Sequence, residues 1–246
     1  MNPRKWLLLG AMVVLCLGAG AGQSADTAQP GDEIVNKLLD SNARRNAALQ
    51  AYQGMRVYEL DYQGFPAVHK HAQMTVRVIY HYPHQRELTI VSESGSKVLL
   101  NHVLHKLIAV EQETSGEKEH ADSEMNRVNY RFQYLGQKSA QGRDCYLLQV
   151  IPLRENKLLY DGKIWVDKND FAIVQIDAQP AKPPSAWISQ TRIEHEYGKI
   201  GEFWLPLRNR STSKVRLGGK AVLSIAYQDY AITDQRTASL QAVGGQ

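Results

Sequence analysis

The chain has 246 residues, 43% hydrophobic and 22% charged, with a formal net charge of +4. That length buries an adequate core without disulfide staples, and a charge this near neutral gives no reason to expect a nucleic-acid partner. The two cysteines, Cys16 and Cys145, exclude a disulfide framework.

In chain order, Arg4 and Lys5 precede an apolar run from Trp6 to Leu17 and a small-residue stretch from Gly18 to Gly22. This is the pattern of a secretory signal peptide, with cleavage expected after Ala21. A run of about 12 residues is too short to span a bilayer, which takes about 20. A lipid anchor on Cys16 is disfavoured because bulky Leu15 stands where a lipobox needs a small residue. The expected organisation is a signal peptide over 1–21, a flexible leader over 22–31 and one domain over 32–246, exported to the periplasm. Loss of Arg4 and Lys5 leaves 27 basic against 25 acidic residues, a net charge of about +2.

From Asp32 the apolar residues Ile34, Val35, Leu38, Leu39, Ala43, Ala47 and Ala48 recur at helical spacing, with Asp32 as cap and Gly54 as stop. Strand patterns follow over Met55–Tyr62 and Gln73–Tyr82, the second placing Met74, Val76, Val78, Tyr80 and Tyr82 on one face. Gly64-Phe65-Pro66 separates them, and a shorter strand runs from Arg86 to Ser92. A second helix is expected over Lys97–Glu113, with Leu100, Val103, Leu104, Leu107 and Ile108 on its apolar stripe, Ser94 or Ser96 as cap and Gly116 as stop. It fits two roles equally, a lid over a concave sheet or plain core packing.

From Asn129 onward the chain reads as strand after strand, broken at Gln141-Gly142, Lys168-Asn169-Asp170, Gly198–Gly201 and Gly218-Gly219. Such short connections require mostly antiparallel pairing. The basic residues Arg208, Arg210, Lys214, Arg216 and Lys220 read as the solvated face of an edge hairpin, or as an attraction to an anionic surface.

Catalytic signatures fail in turn. The chain has no G-x-S-x-G, G-x-x-x-x-G-K or G-x-G-x-x-G. Glu194-His195-Glu196 lacks the second histidine of a zinc helix, and Lys199 stands in its place. The pairs His69/His71, His81/His84 and His102/His105 show no ligand spacing with one another. No enzymatic activity, metal or cofactor is expected. Cys145, in the run DCYLLQVIP, reads as a buried thiol. What remains is a face of aromatics, with Trp165, Trp187 and Trp204 on late strands and Tyr58, Tyr62, Tyr80 and Tyr82 on early ones. An incompletely closed barrel lined this way leaves an apolar cavity.

The order of elements, with G-K-I-W-V-D at Gly162–Asp167 and F-W-L-P at Phe203–Pro206, resembles the bacterial outer-membrane lipoprotein-sorting family. These are the LolA- and LolB-like periplasmic carriers, with RseB-like stress sensors as relatives. The resemblance implies an α+β, β-rich fold: an unclosed curved antiparallel β-barrel with helices packed on its concave face as a lid. It implies a monomeric carrier of lipid or lipoprotein acyl chains, exchanging cargo with inner- and outer-membrane donor and acceptor proteins. The alternative is a protein-interaction or envelope-stress sensor module on the same scaffold. The apolar pocket and lid would be built from Tyr58, Leu60, Val76, Val78, Tyr80, Leu104, Leu107, Leu148, Trp165, Ile173 and Trp187. Arg56 and Arg77 are the candidates for the arginine that holds the lid in such carriers.

Overall fold

A computed structural model describes residues 30–83, 85–113, 121–216 and 218–234. The expected signal peptide, Gly116 and most of the leader lie outside the described residues. A first helix, α1 (Pro30–Ala48), leads into three strands: β1 (Leu49–Gly64), β2 (Val68–His81) and β3 (Gln85–Gly95). The second helical segment comprises α2 (Lys97–Leu99), a π-helical stretch (Leu100–Leu104) and α3 (His105–Glu113). Seven strands follow: β4 (Tyr130–Gln137), β5 (Cys145–Pro152), β6 (Tyr160–Asp167), β7 (Ile173–Pro180), β8 (Ile188–Ile200), β9 (Phe203–Val215) and β10 (Gly219–Asp234).

The strands form one sheet in the order β3-β2-β1-β10-β9-β8-β7-β6-β5-β4, with every neighbouring pair antiparallel. Only β1 to β10 joins elements distant in sequence, and β3 and β4 remain unpaired with each other at the two edges. The sheet is therefore an unclosed antiparallel barrel, as expected.

Side chains alternate across a strand, so register decides which residues share the inner face. Tyr58 on β1 stands opposite Met74 on β2 and Ile225 on β10. Leu148 on β5 stands opposite Tyr134 on β4 and Ile164 on β6. Each set is covered by a different helix. Ile34, Val35 and Leu38 of α1 bury against Tyr130, Leu148, Val150, Ile164, Val166 and Ile176. Leu99, Leu100, Leu104 and Ile108 of the second segment bury against Tyr58, Leu60, Met74, Val76, Val78 and Ile225.

Several local expectations are corrected. Helix α1 starts at Pro30, so Asp32 lies in its first turn, where it accepts a hydrogen bond from Arg127 (3.0 Å) rather than acting as the cap. The helix ends at Ala48, and Gly54 is an interior β1 residue paired with Val78. A Cβ on Gly54 would come within 3.2 Å of the Gln228 carbonyl and 3.4 Å of the Tyr230 ring, so close packing, not helix termination, explains this glycine. Tyr82 falls in the turn after β2 and is exposed, leaving the face it was assigned to. Val103 is exposed on the second segment, whose stripe is re-phased by the π-helical stretch. The basic residues of β9 and β10 sit on interior strands, not an edge, and are exposed on the outer face.

Gly162 on β6 faces Ala178 on β7, and a Cβ there would meet the Ala178 Cα and the Asp177 carbonyl, each at 2.4 Å. Both are backbone atoms of a central pair and cannot rotate away. Gly162→Ala is expected to destabilise the fold by about 1–3 kcal/mol, read as a lower urea midpoint with unchanged m-value.

Candidate lid and concave face

The second helical segment is held to the sheet by more than apolar contact. Arg56 occupies an inward position on β1 between Gly54 and Tyr58 and is buried. Its Nη1 lies 2.5 Å from Glu111 Oε1 on α3 and 3.3 Å from the Tyr58 hydroxyl. The Tyr58 hydroxyl donates to the other Glu111 oxygen at 3.4 Å, and the guanidinium sits 5.2 Å from the centre of the Tyr227 ring. Burial opposes the Arg56 charge, but the Glu111 carboxylate outweighs it and raises the pKa, so the group stays a cation. Burial likewise pushes the Tyr58 phenol up, keeping it a neutral donor. Further ties join the segment to β3: Gln112 Nε2 donates to the Leu88 carbonyl at 2.9 Å, and His105 Nε2 lies 2.7 Å from Glu93 Oε2. Of the two candidate arginines, Arg56 is the one tied to the second helical segment, whereas Arg77 is exposed on the opposite face.

Both partners of this latch were legible in principle. Arg56 interrupts the inward row that includes Tyr58 and Leu60, and Glu111 falls three and seven residues after Ile108 and Leu104 on the apolar stripe. A charge at each of two apolar faces signals that the two meet, because a buried charge needs a partner.

The expected pocket residues separate into several groups. Tyr58, Leu60, Val76, Val78 and Leu104 are buried together under the second segment, with Leu107 packed against them. Tyr80 joins Leu49, Phe203 and Leu205 in a neighbouring cluster, stacked on Tyr52 at 5.1 Å. Leu148 lies under α1, with Ile173 packed beside it. Trp165 faces the other side of the sheet, with Cys145, Val174 and Trp204. Trp187 stands in the turn before β8 and is 64% exposed. The tryptophans therefore do not share the tyrosine face: Trp165 lies between inward Ile164 and Val166, and alternation turns it outward. Cys145 is buried, and its thiol is pushed up by that burial.

Between the two helix-covered ends lies a strip that the sequence reading missed. The half-buried side chains of Tyr160, Ile193, His195, Tyr197, Leu223 and Tyr227 line it on β6, β8 and β10. His195 packs edge-on to Tyr160 (5.7 Å) and stacks on Tyr197 (6.2 Å). Glu194 and Glu196, its neighbours, turn to the opposite face beside Arg192 and Arg208. Burial lowers the His195 pKa to about 4 and raises those of Tyr160 and Tyr227 to about 12, so all three are neutral near pH 7. The strip is a polar but uncharged seam joining two apolar beds. The carboxylates of β6, β7 and the turn between them are dispersed: Asp161 lies within β6, Asp167 caps the β6–β7 turn, Asp170 binds Lys199 (2.9 Å) and Asp177 binds Arg192 (2.8 Å). Among the described residues no three His, Cys, Asp or Glu come together in a way that could hold a metal ion.

Comparison with known proteins follows this geometry. The family described as a family of unknown function (DUF5686) matches residues 123–230, less than half of the chain. No curated protein matches. The chain is similar to several solved structures. An outer-membrane lipoprotein-sorting protein domain from Vibrio parahaemolyticus is 11% identical over 82% of this chain and 93% of its own, with a TM-score of 0.42. A DUF1329 family protein from Desulfovibrio piger is 11% identical over 83% and 93%, with a TM-score of 0.43. A LolA superfamily protein from Nitrosomonas europaea is 12% identical over 84% and 95%, with a TM-score of 0.38. Likenesses of this depth leave the function to be read from the chain's own geometry.

Two outcomes test this description. Glu111→Gln is expected to loosen the second segment by about 1–3 kcal/mol by leaving Arg56 buried with a weaker partner. Hydrogen exchange should then accelerate over 97–113 while α1 keeps its protection. For His195, a folded pKa below the unfolded value means that the unfolded state takes up the proton first. Its stabilisation is complete above pH 6.5 and is lost as pH falls toward about 4. His195→Phe should flatten that part of the stability–pH curve in denaturant titrations.

Proposed function

We propose that the protein is a periplasmic carrier that binds lipid or lipoprotein acyl chains on the inner face of its sheet, and that the structure is its closed form. The observation that carries this reading is the latched lid: an apolar helical segment laid over an apolar sheet face and pinned by Arg56 and Glu111. A chain entering there replaces contacts that the lid itself makes with Tyr58, Leu60, Val76 and Val78. Each methylene transferred from water contributes about 0.8 kcal/mol, so a long acyl chain offsets the loss of the latch. Release follows when the lid reseats, and any difference in affinity between open and closed forms sets the direction of transfer. The order of elements and the two sequence motifs support the same reading. Export rests on the N-terminal segment. No helix among the described residues is long and apolar enough to cross a membrane.

One observation favours a second reading. The expected pocket residues are packed against the protein's own helices, and edge strand β3 is exposed along nearly its whole length, including Ile90 and Val91. A filled inner face beside a bare edge suits a module that pairs with a partner strand.

Native mass spectrometry of protein purified from its own periplasm, followed by organic extraction, separates the two. A stoichiometric acylated molecule, retained more tightly by Glu111→Gln because a weaker latch costs less to open, supports the carrier. A clean apo mass and failure to bind a fluorescent fatty acid sink it and leave the interaction module.

A further inference from the structure

A depression lies at the far end of the inner face, where α1 crosses β4 and β5. It encloses about 240 Å³ and is lined by Glu33, Ile34, Lys37, Tyr134, Gln137, Tyr146 and Phe171. Three of these are aromatic rings in contact. Tyr134 meets Tyr146 edge-on at 6.3 Å, and Tyr146 and Phe171 stack at 6.0 Å with 24° between their planes. Two ammonium groups stand over them, Lys37 Nζ at 5.3 Å from the centre of Phe171 and Lys168 Nζ at 5.8 Å from that of Tyr146.

The depression has a built wall. Phe171 has φ of 46°, a left-handed conformation that is uncommon for a bulky residue. Two hydrogen bonds from Arg45 hold it there, to the Asp170 and Phe171 carbonyls at 2.8 Å each. The turn below is fixed by Asp167, which accepts from the Asn169 and Asp170 amides, and by Trp204 and Lys199 on the Asp170 carboxylate. Arg45, Lys37 and Glu33 all come from α1, so one helix both roofs the depression and props the ring that forms its wall. Backbone strain held in place by its surroundings concentrates at ligand sites.

We propose that this is a binding site for one acidic saccharide unit, a sugar ring carrying a carboxylate. The C–H face of a pyranose takes the place of the two ammonium groups over the rings as they turn to its carboxylate, and a volume this small admits about one ring rather than a drug-sized ligand. Gln137 and Glu33 offer hydrogen bonds to hydroxyls. Lys37 and Lys168, presently engaged with Glu33 at 2.7 Å and with Gln137 at 2.6 Å, supply the charge for a carboxylate. The same two ammonium groups already cover the rings, which argues against a cationic guest. The acidic sugar could be free or the headgroup of a glycolipid, and the site is separate from the latched lid.

Calorimetric titration of the full chain at low salt, with sodium glucuronate, glucose and a micellar glucuronosyl lipid, tests this. Glucuronate is expected to bind, glucose at least tenfold more weakly. Phe171→Gly removes the ring while suiting the left-handed backbone, and it should abolish binding with the fold intact by circular dichroism. Lys37→Gln with Lys168→Gln should weaken glucuronate at least tenfold and leave glucose unchanged. Binding of the glycolipid alone, lost in Phe171→Gly, would support the site and assign the headgroup as its source. Binding of neither, equal binding of glucose and glucuronate, or binding insensitive to Phe171→Gly would overturn the proposal.

Discussion

Pairing of β1 with β10 is the constraint on which the rest depends. It runs from Leu49–Asp234 to Gly64–Gly219 and joins strands from opposite ends of the domain. Every other strand contact is between neighbours in sequence. Without it the first three strands would be a detached meander, and the inner faces covered by the two helices would not be continuous. With it, both helices lie on one face of one sheet, and Arg56 on β1 comes beside Tyr227 on β10 beneath α3. The Tyr227 ring of the latch is thus supplied by the most non-local strand pairing among the described residues.

The two helices are fastened differently. Helix α1 is tied through Arg45 to two backbone carbonyls of the β6–β7 turn and through Asp32 and Asn36 to Arg127. The second segment has a buried ion pair, apolar contacts and a π-helical interruption. A π-helical stretch carries an extra residue in its turn, and such interruptions recur at functional sites. The two helices divide the inner face into two apolar beds, one tied by hydrogen bonds to backbone carbonyls and the other by an ion pair. Between them the neutral seam of His195 and the tyrosines accepts polar or apolar contact without the cost of burying a charge.

A good part of this was legible in the residues. Alternation over Gln73–Tyr82 predicted the inward row of β2, and Met74, Val76 and Val78 are buried as that period requires, while Tyr82 falls beyond the strand and is exposed. Arg56 and Arg77 are candidates through the family resemblance alone, and only the burial of Arg56 beside Glu111 separates the two. The aromatic wall was misread. Composition counts tryptophans and tyrosines alike, but the one-residue offset from Ile164 to Trp165 sends a side chain to the other surface. His195 was weighed as a zinc ligand with its glutamate neighbours. On a strand those neighbours face away, and burial among phenols gives the histidine a different role.

The sequence by itself determined the element types, their antiparallel connection and the amphipathic helices, because hydrophobic period and turn chemistry are local properties. Tertiary structure alone decided that β1 meets β10, that Glu111 completes Arg56, and that Arg45 forces Phe171 against Tyr146. Each of these is a contact between residues far apart in the chain, made only where register and helix placement bring them within bonding distance. No period in the sequence encodes that distance.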